Sequence, residues 1–178
     1  MILPQVQYLQ LDQQLCRWDT ALIDSPFARF KYFRSRKALN EYASTWLKVT
    51  ANKPGILVVS AHGISDRIYT KDGIQRLEDF LAGLSPLKNK AVHFSSCNTL
   101  DIPSKRLKRI FDQSGAYVIS GYQRSVNAAA SATFESRLLT RLKYPIQTPR
   151  QILKAYTAVC AAEPELSDLT GFSYVFRE

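Results

Sequence analysis

Cysteine and histidine are scarce in this chain, with three of the first and two of the second. The cysteines, Cys16, Cys97 and Cys160, are odd in number, far apart and form no C-x-x-C pair. That spacing argues against a zinc site and against a disulfide framework, and no metal or cofactor is expected. Nor is there an apolar stretch near the ~18–20 residues that a membrane-spanning helix needs. The opening Met1-Ile-Leu-Pro-Gln5 lacks the basic region and apolar core of a secretory signal. These absences lead to the expectation of a cytoplasmic protein with no membrane partner. Internal repeats and low-complexity runs are also missing, and 178 residues fit one domain with room for a core.

What the chain does carry is positive charge, a formal +9. The bases gather in two places, Arg29, Lys31, Arg34, Arg36 and Lys37, and then Lys105, Arg106, Lys108 and Arg109. A basic patch can be a nucleic-acid footprint. The first group, however, alternates with Phe30, Tyr32 and Phe33 as one solvated strand face does. The second lies on the polar side of a helix whose Leu107, Ile110 and Phe111 face inward. Without a nucleic-acid motif beside either group, a solvated surface or an acidic protein partner is the better reading.

Hydrophobic patterning predicts an α/β protein with a mainly parallel central sheet flanked by helices. Residues 1–27 are the least readable, with strands suggested near Val6–Leu11 and Thr20–Ile23. A strand over Ala28–Arg34 leads through Ser35, a helix cap, into a helix carrying Leu39, Tyr42, Ala43, Trp46 and Leu47. This β-α-β order favours a parallel pair with a right-handed crossover. Arg67–Gly73 reads as a hairpin with an Asp-Gly turn, and Ile74–Leu84 as a helix. Pro103-Ser104 opens a helix that closes near Gly115, and Ala116–Gly121 is a further buried strand. Val126, Ala130, Phe134, Leu138 and Leu142 mark a longer helix. Thr148-Pro149-Arg150-Gln151 combines a capping box with proline at the first helical position. Phe172–Phe176 closes the pattern as a strand.

Two apolar runs, Gly55–Ala61 and Lys90–Phe94, have the length and continuity of strands buried on both faces. The first stops at His62-Gly63 and the second at Ser95-Ser96-Cys97. In open α/β sheets chemistry collects outside the carboxyl ends of the strands, so a thiol and an imidazole at two such ends suggest a nucleophile and its base. A thiol near pKa 8.5 is mostly protonated at neutral pH and needs that base. Of the two histidines, His93 precedes Cys97 by four residues of one strand, about 13 Å at 3.3 Å per residue, and is better read as structural. His62, on another strand about 4.8 Å away, has no such restriction. Gly63 lets backbone approach closely, and its N–H and that of Cys97 are candidate oxyanion donors. Cys160 reads as a small buried residue on a helix.

From Ile56 to Asn98 the order of hydrophobic strand, Ser-Ala-His-Gly, hairpin, amphipathic helix, strand and Cys resembles the catalytic core of the caspase-like (clan CD) cysteine peptidase superfamily. Beyond it, Ser95-Ser-Cys-Asn-Thr99, the strand at Tyr117–Gly121, the Ala-rich helix from Ala128 to Leu142 and Thr170–Phe176 are more similar to the bacterial CHAT branch. The resemblance covers roughly residues 55–178. It implies a single peptidase domain of the caspase-haemoglobinase fold, a three-layer sandwich. It further implies a cysteine endopeptidase that cleaves a protein partner in bacterial signalling or defence, with Cys97 as nucleophile and His62 as general acid/base. Ser95 stands where caspases have glutamine, so aspartate specificity is not implied; thirty-five residues separate His62 from Cys97 against about 50 in caspases, a compact connection. Around the crevice, Gln123 and Arg124 are candidates for holding an acidic substrate side chain; Asp66 or Asp101 could instead receive a basic one. The alternative is a catalytically inactive interaction domain of the same fold. A regulatory protein partner stays open in either case.

Overall fold

Both apolar runs become central strands of a six-stranded sheet, and this places their carboxyl ends side by side. The computed structural model describes residues 5–11, 28–84 and 86–177. The strands of the main sheet are β1 (Val6–Gln10), β2 (Ala28–Tyr32), β3 (Gly55–Ser60), β7 (Lys90–Ser95), β8 (Val118–Tyr122) and β9 (Phe172–Phe176), in the order β2-β1-β3-β7-β8-β9. All neighbours are parallel except β8 and β9. Between β3 and β7 lies a small antiparallel sheet of β4 (Gly63–Ile64), β5 (Arg67–Thr70) and β6 (Gly73–Arg76). The strand expected at Thr20–Ile23 and Cys16 fall outside the described residues.

Strand residues alternate between two cores, which is why β3 and β7 read as continuous hydrophobic runs. Leu57, Val59, Val92, Phe94 and Ile119 face one side. There they meet α1 (Arg36–Val49), α2 (Leu77–Ala82) and α3 (Ser104–Ser114), through Leu39, Trp46, Phe80, Leu107 and Phe111. Ile56, Val58, Ala91, Val118 and Tyr122 face the other. Against them pack α4 (Ala128–Thr140) and α5 (Pro149–Ala162), through Phe134, Leu138, Ile152, Tyr156 and Val159, and α6 (Pro164–Thr170) adds the half-buried Leu166. The result is the α/β, mostly parallel sheet flanked by helices that the sequence predicts.

The second core holds a buried polar cluster. His93 Nε2 lies 3.1 Å from Glu135 Oε1, both side chains 1% exposed, and His93 Nδ1 lies 3.0 Å from Ser120 Oγ. Tyr122 donates its hydroxyl to Glu135 at 2.8 Å, and Ser120 is 2.9 Å from the Tyr156 hydroxyl. Burial first, and then the Glu135 carboxylate, hold the Tyr122 hydroxyl well above its ordinary range. His93 thus ties β7 and β8 to α4.

Local signals in the sequence mostly act where they stand. Ser35 accepts the Ala38 N–H at 3.3 Å to start α1. Gln151 reaches back to accept the Thr148 N–H at 3.0 Å, and Gly115 ends α3 at φ 72°. One turn differs. Thr70 pairs with Gly73, so Lys71-Asp72 forms the hairpin loop and Gly73, at φ 116°, opens β6. The helix expected from Val126 starts two residues later, because Asn127 caps it by accepting the Ala129 N–H at 2.8 Å.

Candidate functional site

The parallel ladder of β3 and β7 runs in register from Gly55↔Lys90 to Ser60↔Ser95. His62 and Cys97 each follow the last pair by two residues, so the two side chains leave equivalent points of adjacent strand ends. Gly63 brings the two turns together. A Cβ on Gly63 would stand 2.6 Å from the Cys97 carbonyl oxygen, 2.6 Å from Thr99 Oγ1 and 3.0 Å from Ser96 Cβ. Only a glycine allows that approach. The structure therefore sets His62, Gly63 and Cys97 on one rim, with His62 exposed and Cys97 half-buried.

Each turn is fixed by its own bonds. On the histidine side, the His62 carbonyl accepts the Tyr69 N–H at 2.8 Å. In an antiparallel ladder bonded and non-bonded pairs alternate. Gly63, opposite Ile68, is consequently a non-bonded pair, and its N–H points out of the β4–β5 ladder. Behind it, Ser65 and Asp66 take positive φ, 25° and 56°, and the Asp66 carbonyl accepts the Leu77 N–H at 2.7 Å. The buried Asp66 carboxylate pairs with Arg106, which also binds Glu78 through Nε at 3.1 Å and Nη2 at 3.0 Å. The Arg106 guanidinium holds the Glu78 carboxyl below its usual range. A short helix and α3 thereby clamp the hairpin.

On the cysteine side, Asn98 takes φ 51°, a conformation asparagine tolerates better than most residues. Its N–H donates to the Arg124 carbonyl at 3.0 Å and its Nδ2 to Ser125 Oγ at 2.9 Å. Leu100 N–H donates to the Tyr122 carbonyl at 3.0 Å. The Cys97 turn is thus bolted to the loop between β8 and α4. From that loop Val126 donates its N–H to Cys97 Sγ at 3.4 Å, and its carbonyl lies 3.7 Å from the sulfur. Val126 had no chemical signature in the sequence, being one apolar residue at a helix start.

The other candidates are more dispersed. Arg124 lays its stem against Gly171 and donates Nη1 to the Asp168 carbonyl at 3.1 Å, at the end of α6. Gln123 is exposed at the mouth of a groove of about 510 Å³, with Ile102, Leu107, Phe111, Val175 and Phe176 among its lining. None of His62, Gly63 and Cys97 lines that groove. Asp101 is exposed in the turn after Cys97, its N–H on the Asn98 carbonyl at 3.0 Å. Asp66, neutralised by Arg106, is a poor receptor for a basic side chain. His93 is buried in the second core against Ser120 and Glu135 and is not open to a substrate at the rim. Among the described residues no group of three or more His, Cys, Asp or Glu is placed to hold a metal, and no helix is long and apolar enough to cross a membrane.

Comparison with solved structures shows the same caspase-like fold. The chain is similar to a secreted C11 cysteine protease from Bacteroides thetaiotaomicron, solved in complex with an irreversible peptide inhibitor. The match has 12% identity and a TM-score of 0.53, and covers 90% of this chain. This chain spans 60% of that protein. No curated protein matches the sequence. Residues 28–161 match the model of a family of unknown function, DUF6642, and the chain belongs to that family.

Proposed function

We propose that this protein is a cysteine endopeptidase that cleaves a protein substrate through Cys97 and His62, as in the bacterial CHAT branch. The observation that carries the reading is the meeting of two register-matched strand ends, with Gly63 packed against the Cys97 carbonyl. In the proposed reaction His62 takes the Cys97 proton as sulfur attacks the scissile carbonyl carbon. The resulting oxyanion is held by the backbone N–H groups of Gly63 and Cys97. Collapse breaks the C–N bond, and His62 gives its proton to the departing amine, leaving a thioester on Cys97. Water, deprotonated by His62, then attacks the thioester carbon. The acid product leaves and the thiol is restored.

A second reading, an inactive interaction domain, is favoured by one observation. Cys97 Sγ contacts both the N–H and the carbonyl of Val126, an arrangement that also suits an inert, packed thiol. Labelling with an acyloxymethyl ketone peptide probe separates the two. The peptidase reading expects modification of Cys97 alone, slowed roughly 10²-fold or more by His62→Ala. Cys160 is the internal control, since burial pushes its thiol up. Labelling of Cys97 no faster than Cys160, or equal rates with and without His62, would overturn the peptidase.

A further inference from the structure

The small sheet beside His62 presents a face that the proposed chemistry does not use. Residues directly opposite in an antiparallel pair share a face, as do residues two apart on one strand. The pairs Ile64↔Arg67, Arg67↔Arg76 and Tyr69↔Ile74 therefore put Ile64, Arg67, Tyr69, Ile74 and Arg76 on one side. Ile68, on the opposite side, is fully buried, while these five are exposed. Six large hydrophobic residues are exposed among the described residues, and Ile64, Tyr69 and Ile74, at 48%, 40% and 55%, are three of them. Exposed apolar residues scattered singly need no explanation, whereas three on one short sheet do.

The charges on this face are as informative as its apolar groups. Arg67 and Arg76 stand directly across from each other, and like charges so placed destabilise a strand pair. Among the described residues Arg67 has as its ion pair only a 3.8 Å contact to Asp66, whose other oxygen is taken by Arg106. For Arg76 no carboxylate lies within ion-pair distance among the described residues. A carboxylate brought in between the two guanidiniums would relieve the repulsion and gain charge-assisted hydrogen bonds.

We propose that this face docks an extended, acidic segment of a partner protein, with one carboxylate between Arg67 and Arg76 and a bulky apolar side chain two residues away on Tyr69 and Ile74. The spacing follows from the sheet, because alternate side chains of an extended segment recur at about 6.6 Å. So do Arg67 and Tyr69 on β5. Isoleucines at 64 and 74 favour a peptide over a nucleic acid, whose phosphates make no use of them. The surface is independent of whether Cys97 cleaves anything, since none of its five residues belongs to the proposed reaction.

The test is fluorescence anisotropy with a labelled peptide of repeating Ser-Leu-Ser-Glu, read on Cys97→Ala protein so that cleavage cannot remove the probe. Saturable binding is expected, weakened about tenfold or more by Arg67→Gln/Arg76→Gln and again by Ile64→Thr/Ile74→Thr. Lys105→Gln/Lys143→Gln, which removes the same charge elsewhere on the exposed surface, should leave it within twofold of the parent. Thermal melts of each variant should match the parent, since all six positions are exposed. Three outcomes overturn the proposal. They are no saturable binding, equal loss in the lysine control, or a labelled single-stranded oligonucleotide displacing the peptide through the same arginines.

Discussion

Gly63 is the residue on which the rim depends most directly. Any side chain there meets the Cys97 carbonyl and the Thr99 hydroxyl at 2.6 Å, and backbone cannot yield as a flexible side chain can. Gly63→Ala is expected to destabilise the fold by about 1–3 kcal/mol. It should also slow Cys97 labelling about tenfold or more, because small misplacements of reacting groups are costly. Urea denaturation and probe kinetics measure the two effects separately; unchanged labelling would show that the turns do not need to touch. The pairing of His62 with Gly63 was legible in the sequence, as was the dismissal of His93 by strand spacing. Asn98 was visible as a residue but not as a left-handed turn. Its turn is held by the Arg124 carbonyl and Ser125 hydroxyl, groups 26 and 27 positions away that no local pattern reveals.

Elements pack on one another mainly through the two hydrophobic cores, and of the buried polar contacts that pin them, two carry clear expectations. Glu135 links α4 to β7 and β8 through His93 and Tyr122. Glu135→Ala leaves the Tyr122 hydroxyl buried without its acceptor and should cost about 1–3 kcal/mol, read as a shift in the urea midpoint at constant slope. Lys90 at the start of β7 donates Nζ to the Thr50 carbonyl at 2.6 Å and to that of Lys53, closing the end of α1. Burial lowers its pKa from 10.5 to about 8. Below about pH 8 both folded and unfolded chains carry the proton, and this group adds no pH dependence. Between about 8 and 10.5 the unfolded chain binds more protons, so its contribution to stability rises with pH. Lys90→Met should abolish that rise, and denaturation series at pH 7 to 10 on both proteins test it. Strands β3 and β7 and helices α1, α3 and α5 were legible because periodicity and caps are local. β4 was not, being two residues long and defined only by its partner β5. The polar cluster was equally hidden, since His93, Ser120, Glu135 and Tyr156 are dispersed along the chain and meet only through the fold.

At the scale of the whole molecule, the net charge of +9 resolves into unlike parts. In the second basic concentration Arg106 and Arg109 engage Glu78, and Lys108 engages Asp112, so much of that charge is spent on internal pairing. In the first, Arg29 and Lys31 are exposed on β2, at one end of the sheet order, where charge discourages edge-to-edge association. Composition reported the sum but could not divide it. The α/β class followed from the order of elements, and the mostly parallel sheet from the continuous hydrophobic runs.

The long in-register ladder between β3 and β7 has a consequence for the backbone that joins them. The connecting hairpin turns at Lys71-Asp72, both exposed, where the Asp72 carboxylate accepts the Arg36 N–H at 2.6 Å; its two roots are held more firmly, one against the Cys97 turn and the other through Leu77 on Asp66. Covalent continuity at the tip therefore contributes little to holding the two turns together. A specific protease site placed between Lys71 and Asp72 should be cut to give two fragments that stay together under native chromatography and retain Cys97 labelling. Fragments that part, or fall silent to the probe, would mean that the tip is a tether the sheet cannot do without.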